Sequence, residues 1–229
     1  MNNRYFDLLD EYKKLDGYRF LKQLNQFSLS VHIFEKNYLE LNQFLDSTIE
    51  RSHDLTKDRN AHDEAMFEIT RLIHNFVSSV QTLIDSTRVF YEKHYGKDNS
   101  FPDYNTEIKN RFIDNKLAVF VKGLRQHFQH YKIPLISFSQ KLKDTDGSTT
   151  RYFFSKESLA DFDWKNSQKR YILEQDKGEV DIKTFASDYY ELTKSFYDWF
   201  ISRQMEIKKS EINKVSEYEG LLHSLQIED

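Results

Sequence analysis

Six glycines and two prolines in 229 residues leave this chain with very little that stops a helix. Glycine costs about 1 kcal/mol and proline about 3 kcal/mol in a helix interior, so long uninterrupted helices are the default. The apolar spacing agrees. Phe6, Leu9, Leu15, Tyr18, Leu21, Leu24 and Phe27 predict a helix over 4–27 that tolerates Gly17, and Val31, Phe34, Tyr38, Leu41, Phe44 and Leu45 predict a second over 29–49. After a polar connection at 51–63, a third helix over 63–95 carries Ile69, Ile73, Phe76, Val80, Leu83, Thr87 and Phe90 on one stripe, with Gly96 as its C-cap. A fourth begins with Ser100 as N-cap and runs to Pro134, its seam formed by Leu117, Val121, Leu124, Phe128 and Tyr131. Gly123 inside that helix points to a close approach by a neighbouring helix or ligand.

Two short β-prone runs follow, at 135–142 and 151–155, separated by the turn-forming cluster KDTDGSTT, and they predict a hairpin. A short helical piece spans 159–174. The last helix starts at Asp181 as N-cap and carries Phe185, Tyr189, Leu192, Phe196, Trp199 and Phe200, with a pattern that continues through Leu225. Its charged stretch at 203–219 suits a protruding or partner-binding arm, or a frayed end. The expected fold class is all-α, an up-and-down helical bundle in one domain. Residues 1–134 form a four-helix core, 135–156 a β-hairpin insertion, and 157–229 a helical extension ending in a long helix.

The 19 Phe and 14 Tyr supply core volume, and the absence of cysteine removes disulfides, thiolate metal sites and thiol nucleophiles. The charged N-terminus does not resemble a signal peptide, and no apolar run approaches the roughly 20 residues that span a bilayer. A cytoplasmic protein without a membrane partner is expected.

Net charge is −4, yet no acidic residue lies between Asp114 and Asp144, where Lys116, Lys122, Arg125, Lys132, Lys141 and Lys143 stand. Such a run is either a solvated face or an anion site, with phosphate the anion. His127 and His130 are three apart and give a metal too few ligands, with no acidic residue near them in sequence. Six scattered glycines build no phosphate-binding loop or dinucleotide fingerprint, and there is no nucleophile elbow. No metal or cofactor is expected.

Arg125 followed by four residues and His130, with the polar Gln126 directly after the arginine, resembles the signature of the HEPN superfamily (higher eukaryotes and prokaryotes nucleotide-binding domains). The surroundings HYKIPL and the preceding helix HNFVSSVQTLIDSTR share the resemblance, which covers residues 4–134. The family's commonest residue after the arginine is asparagine. Arg88 and His94 form a similar pair with five residues between them, but His94 falls on the apolar stripe of its helix.

The resemblance implies a HEPN-like helical bundle acting as a metal-independent endoribonuclease, in defence or toxin–antitoxin systems. Arg125, His130 and His127 would be catalytic, Lys122, Gln126 and Lys132 would bind RNA, and Asn75, Asp85 and Arg88 would support them. It also implies partners: RNA, a second copy of the chain and an inhibitory antitoxin protein. For His130 the alternative is a helix C-terminal histidine favoured by the macrodipole, and for Asn75, Asp85 and Arg88 a solvated face.

Geometry adds a constraint of its own. Five helical residues turn about 140° and rise about 7.5 Å, so Arg125 and His130 flank the seam on different sides. Within one chain only a long arginine curling back or a helix distorted before Pro134 would aim both at one phosphate. A two-fold dimer brings two such pairs into one cleft. There, a histidine takes the proton of an RNA 2′-hydroxyl or protonates the leaving 5′-oxygen, while arginine stabilises the phosphate. The other class of function that fits is a non-catalytic helical module binding a protein or nucleic acid through its basic helix and C-terminal arm.

Overall fold

The computed structural model describes residues 3–97, 100–143 and 147–227, with side chains except those of residues 3 and 141–149. The protein is all-α with one small sheet. Its helices are α1 (Asn3–Lys14), α2 (Asp16–Glu50), α3 (Ser52–Leu55), α4 (Arg59–Tyr95), α5 (Tyr104–Ile108), α6 (Lys116–His130), α7 (Lys156–Ala160), α8 (Asn166–Leu173), α9 (Ile182–Ile207) and α10 (Lys209–Ile227). The strands β1 (Ile136–Lys143), β2 (Gly147–Phe154) and β3 (Val180–Asp181) lie in the order β1-β2-β3, antiparallel throughout.

The central contact joins α2 to α9. Phe34 meets Tyr189, Tyr38 stacks on Tyr190 with centroids 3.9 Å apart, and Phe27 meets Tyr197 and Phe200. These pairs step up one helix as they step down the other, so the helices are antiparallel. The same register continues outward into α1 and α10, where Tyr12 donates to Glu219 at 2.8 Å and Gln226 to Tyr5 at 2.9 Å. Helix α4 packs on the same aromatic face of α2 and also touches α9, with Phe34 stacked on Phe76, Phe76 edge-on to Tyr189 and the Ser30 and Ser86 hydroxyls 3.0 Å apart. One hydrophobic cluster runs from Phe20 to Phe200. Burying each of its large side chains contributes about 1.5–3 kcal/mol.

The expected stripe of α4 is buried at every position, from Ile69 to Phe90. Several boundaries move. The first break falls at Leu15, not near residue 28, because Ser28 folds its hydroxyl onto the Asn25 carbonyl and the helix continues past it. No single helix spans 100–134. A short α5 and a π-helical turn at Lys109–Ile113 precede α6, which Asn115 caps by accepting from the Ala118 N–H. Tyr131 adopts a non-helical backbone and leaves the seam, 54% exposed. The piece expected at 159–174 divides into α7 and α8, and the two-residue β3 is too short for periodicity to reveal.

The hairpin forms as expected, although its turn residues 144–146 lie outside those described. Phe154 of β2 lies against Phe128 and Phe185, which fastens the sheet to α6 and α9. Asp181 caps α9, accepting from the Thr184 N–H at 2.9 Å. The long final helix is two helices, broken at Lys208, and α10 does not stand alone as an arm but lies along α1 and the start of α2.

Gly17 makes that pairing possible: a Cβ there would sit 2.8 Å from both the Glu211 carbonyl carbon and Val215 Cγ2. Backbone cannot yield as a flexible side chain does. Gly17→Ala is therefore expected to destabilise the protein by about 1–3 kcal/mol despite alanine's better helix propensity, measured by urea denaturation.

Candidate functional site

One flank of α6 faces α4 and the other faces α8. On the α4 side, Arg125 donates through Nη1 to the Gln81 Oε1 at 3.1 Å, while its Nε is buried without a hydrogen-bond partner. His74 of α4 stacks on Phe128 one turn further along, with centroids 6.1 Å apart. On the α8 side, Gln126 accepts from Gln168 at 3.1 Å, and a Cβ on Gly123 would lie 2.9 Å from Gln168 and Trp164 side-chain atoms. The close approach expected at Gly123 is thus made by α8 and the loop before it.

Between these flanks runs the exposed stripe of α6. Lys122 and Gln129 lie on it, and the exposed His130 ends the helix without a hydrogen bond or ion pair. Arg125 borders the stripe on the α4 side, and His130 is rotated about 140° from it toward the α8 side. Within one chain the two are separated by the width of the helix.

His127 does not join them. It is fully buried, its ring stacked on Phe162 at 4.7 Å and edge-on to Trp164, with both nitrogens unpartnered. The expectation of a catalytic His127 is corrected: RNA cannot reach the ring without unpacking α7, α8 and the loop joining them. Burial lowers its pKa below the usual histidine value by disfavouring the charged form.

The basic window is also less basic in space than in sequence. Asp161 holds Lys132 and Glu174 holds Lys116. The hydrogen bond raises the Lys132 pKa and lowers that of Asp161. Lys132 and Gln126 therefore have intrachain partners that an RNA phosphate or base would have to displace. Lys122 and Arg125 have no carboxylate partner among the described residues, and the side chains of Lys141 and Lys143 lie outside that set. Asp85 and Arg88 pair with each other on the surface of α4, 3.6 Å apart, and Asn75 is half-buried one turn and a half before Gln81.

Sequence reasoning did not single out Gln81, although it falls on the polar face of α4 with His74, Asp85 and Arg88. Nothing local to α6 signals Asp161, Glu174 or Gln168, which arrive from elsewhere in the chain. Among the described residues, no three histidine, aspartate or glutamate side chains converge to hold a metal, and no helix is long and apolar enough to cross a membrane. In comparisons with family models, curated proteins and solved structures, nothing matches this chain.

A histidine whose pKa is lowered in the fold leaves stability constant while both states are neutral. Stability then falls as pH drops below about 6.5, where the unfolded chain takes up the proton first. His127 follows this rule, and His94, also lowered by burial, acts in the same direction. His127→Phe is expected to change stability by less than about 1.5 kcal/mol at pH 7.5 and to flatten the loss between pH 6.5 and 5, checked by thermal melts across that range.

Proposed function

We propose that this chain is a metal-independent endoribonuclease of HEPN type, with a site assembled across a two-fold homodimer. The observation that carries the proposal is the placement of Arg125 and His130 on opposite edges of one exposed helix face, with Arg125 anchored to α4 through Gln81. In an isolated chain the rotation of about 140° aims them apart, and only an arginine curling back or a distorted helix end would bring both to one phosphate. Two α6 helices facing each other bring them together, because each Arg125 then lies opposite its partner's half of the cleft.

The chemistry follows from the side chains. A neutral histidine of one protomer accepts the 2′-hydroxyl proton as the 2′-oxygen bonds to the adjacent phosphorus. The histidinium of the other donates a proton to the departing 5′-oxygen. The products are a 2′,3′-cyclic phosphate and a 5′-hydroxyl, and DNA is inert because it lacks the nucleophile. The Arg125 guanidinium stabilises the negative charge that builds on the phosphate. Lys122, on the same face, attracts the RNA backbone. A bundle of this type acting in defence or a toxin–antitoxin pair would have an inhibitory protein as a further partner, in the cytoplasm.

Arg125→Ala and His130→Ala are each expected to lower cleavage of single-stranded RNA in EDTA by about 10²–10⁴-fold while the melting temperature stays within a few degrees. Gel assays with end-group analysis of the products check this. Cleavage that survives both substitutions would sink the proposal, and salt-sensitive RNA binding without turnover would assign the chain to the non-catalytic class instead.

A further inference from the structure

The segment from α7 to the end of α8 covers one flank of α6 along its whole length. Glu174 holds Lys116 at one end, and Asp161 holds Lys132 at the other. Between them Tyr171 and Trp164 stack on Phe120 at 5.0 and 5.6 Å, and Gln168 donates to Gln126 at 3.1 Å. These pairs run in opposite order along the two stretches, so the cover lies antiparallel on α6. Apart from the turn that follows it, α8 packs chiefly on α6. The cover can therefore separate from α6 without dismantling the contact of α2 with α9, and the two ion pairs at its ends, both half-exposed, hold it weakly.

His127 is where this cover is vulnerable. Its ring is completely buried, 4.7 Å from Phe162 and edge-on to Trp164 at 5.7 Å, and neither nitrogen has a hydrogen-bond partner. The neutral ring already leaves one N–H unpaired, at a cost of about 1–3 kcal/mol. A proton would add a second unpaired N–H and a charge. Taking that charge out of water costs several kcal/mol, whereas attraction to a ring face returns about 2 kcal/mol. The titratable groups that face His127 are Tyr131 and Lys132 just past α6 and Asp161 from the cover. Asp161 would favour the charged ring, but it is already bound to Lys132, which opposes it.

We infer that the α7–α8 segment is an acid-released cover: a proton on His127 lifts it from α6 and frees Gln126 and Lys132. Opening of this kind does not depend on α6 acting on RNA. Once the cover is lifted, the ring regains the ordinary histidine pKa of about 6.5, so opening is favoured about tenfold more at pH 5.5 than at pH 7.5. The Asp161 carboxyl, lowered by its hydrogen bond to Lys132, stays ionised across this interval and is not the trigger.

Hydrogen exchange of the full chain, read by mass spectrometry and corrected for the intrinsic rate at each pH, tests this. Protection of residues 156–175 is expected to fall about tenfold between pH 7.5 and pH 5.5, while 34–45 in α2 and 185–200 in α9 lose less. In His127→Phe the fall is expected to shrink below about twofold. Asp161→Asn, which removes a surface ion pair and leaves the ring in place, is expected to keep the tenfold fall. Protection of 156–175 that does not change with pH, a loss shared equally by α2 and α9, a full fall in His127→Phe, or a fall that disappears in Asp161→Asn overturns the inference.

Discussion

The antiparallel contact of α2 with α9 is the interaction on which the rest of the structure depends. Aromatic side chains dominate it, from Phe27, Phe34 and Tyr38 on one helix to Tyr189, Tyr190, Tyr197 and Phe200 on the other. Large rings bury much area per residue and lose few torsions on ordering, which suits a chain poor in small residues. Because α9 comes last among the core helices, the bundle closes only when both ends of the chain are in place. The C-terminal portion is an integral part of the core. Its outer continuation pairs α10 with α1, and this pairing tolerates no side chain at Gly17.

The same closure shapes α6. With α4 on one flank and α8 on the other, α6 keeps a single free face, and each flank fixes one polar side chain: Arg125 against Gln81 and Gln126 against Gln168. Preorganisation of this kind matters for a charged group, since an arginine tied by one nitrogen has fewer orientations to lose when it meets a phosphate. The structure also explains why two histidines three residues apart differ so much. His127 points into the packing between α6 and the Phe162–Trp164 loop, while His130 sits at the helix end where the chain turns away toward the sheet.

Much of the helical framework was legible from hydrophobic periodicity. The α4 stripe and the Asp181 cap fall where the pattern puts them, and the hairpin forms in its expected place. Boundaries were harder wherever long-range packing or a local cap decided them. Leu15 breaks the first helix next to the Gly17 contact with α10, and Asn115 starts α6 by a side-chain cap inside what looks like continuous helix. The acid-free window misled in a particular way. It is a property of chain order, and Asp161 and Glu174 arrive on loops and short helices that order does not place.

By itself, the sequence determined the all-α class, the faces that are buried and the position of Arg125 and His130 on a single helix, because helical periodicity converts residue spacing directly into direction. Only the tertiary structure decided that His127 is core, that two of the lysines are neutralised by distant carboxylates and that Gln81 anchors Arg125. Those outcomes rest on contacts between residues dozens of positions apart, where burial and charge are set by neighbours in space.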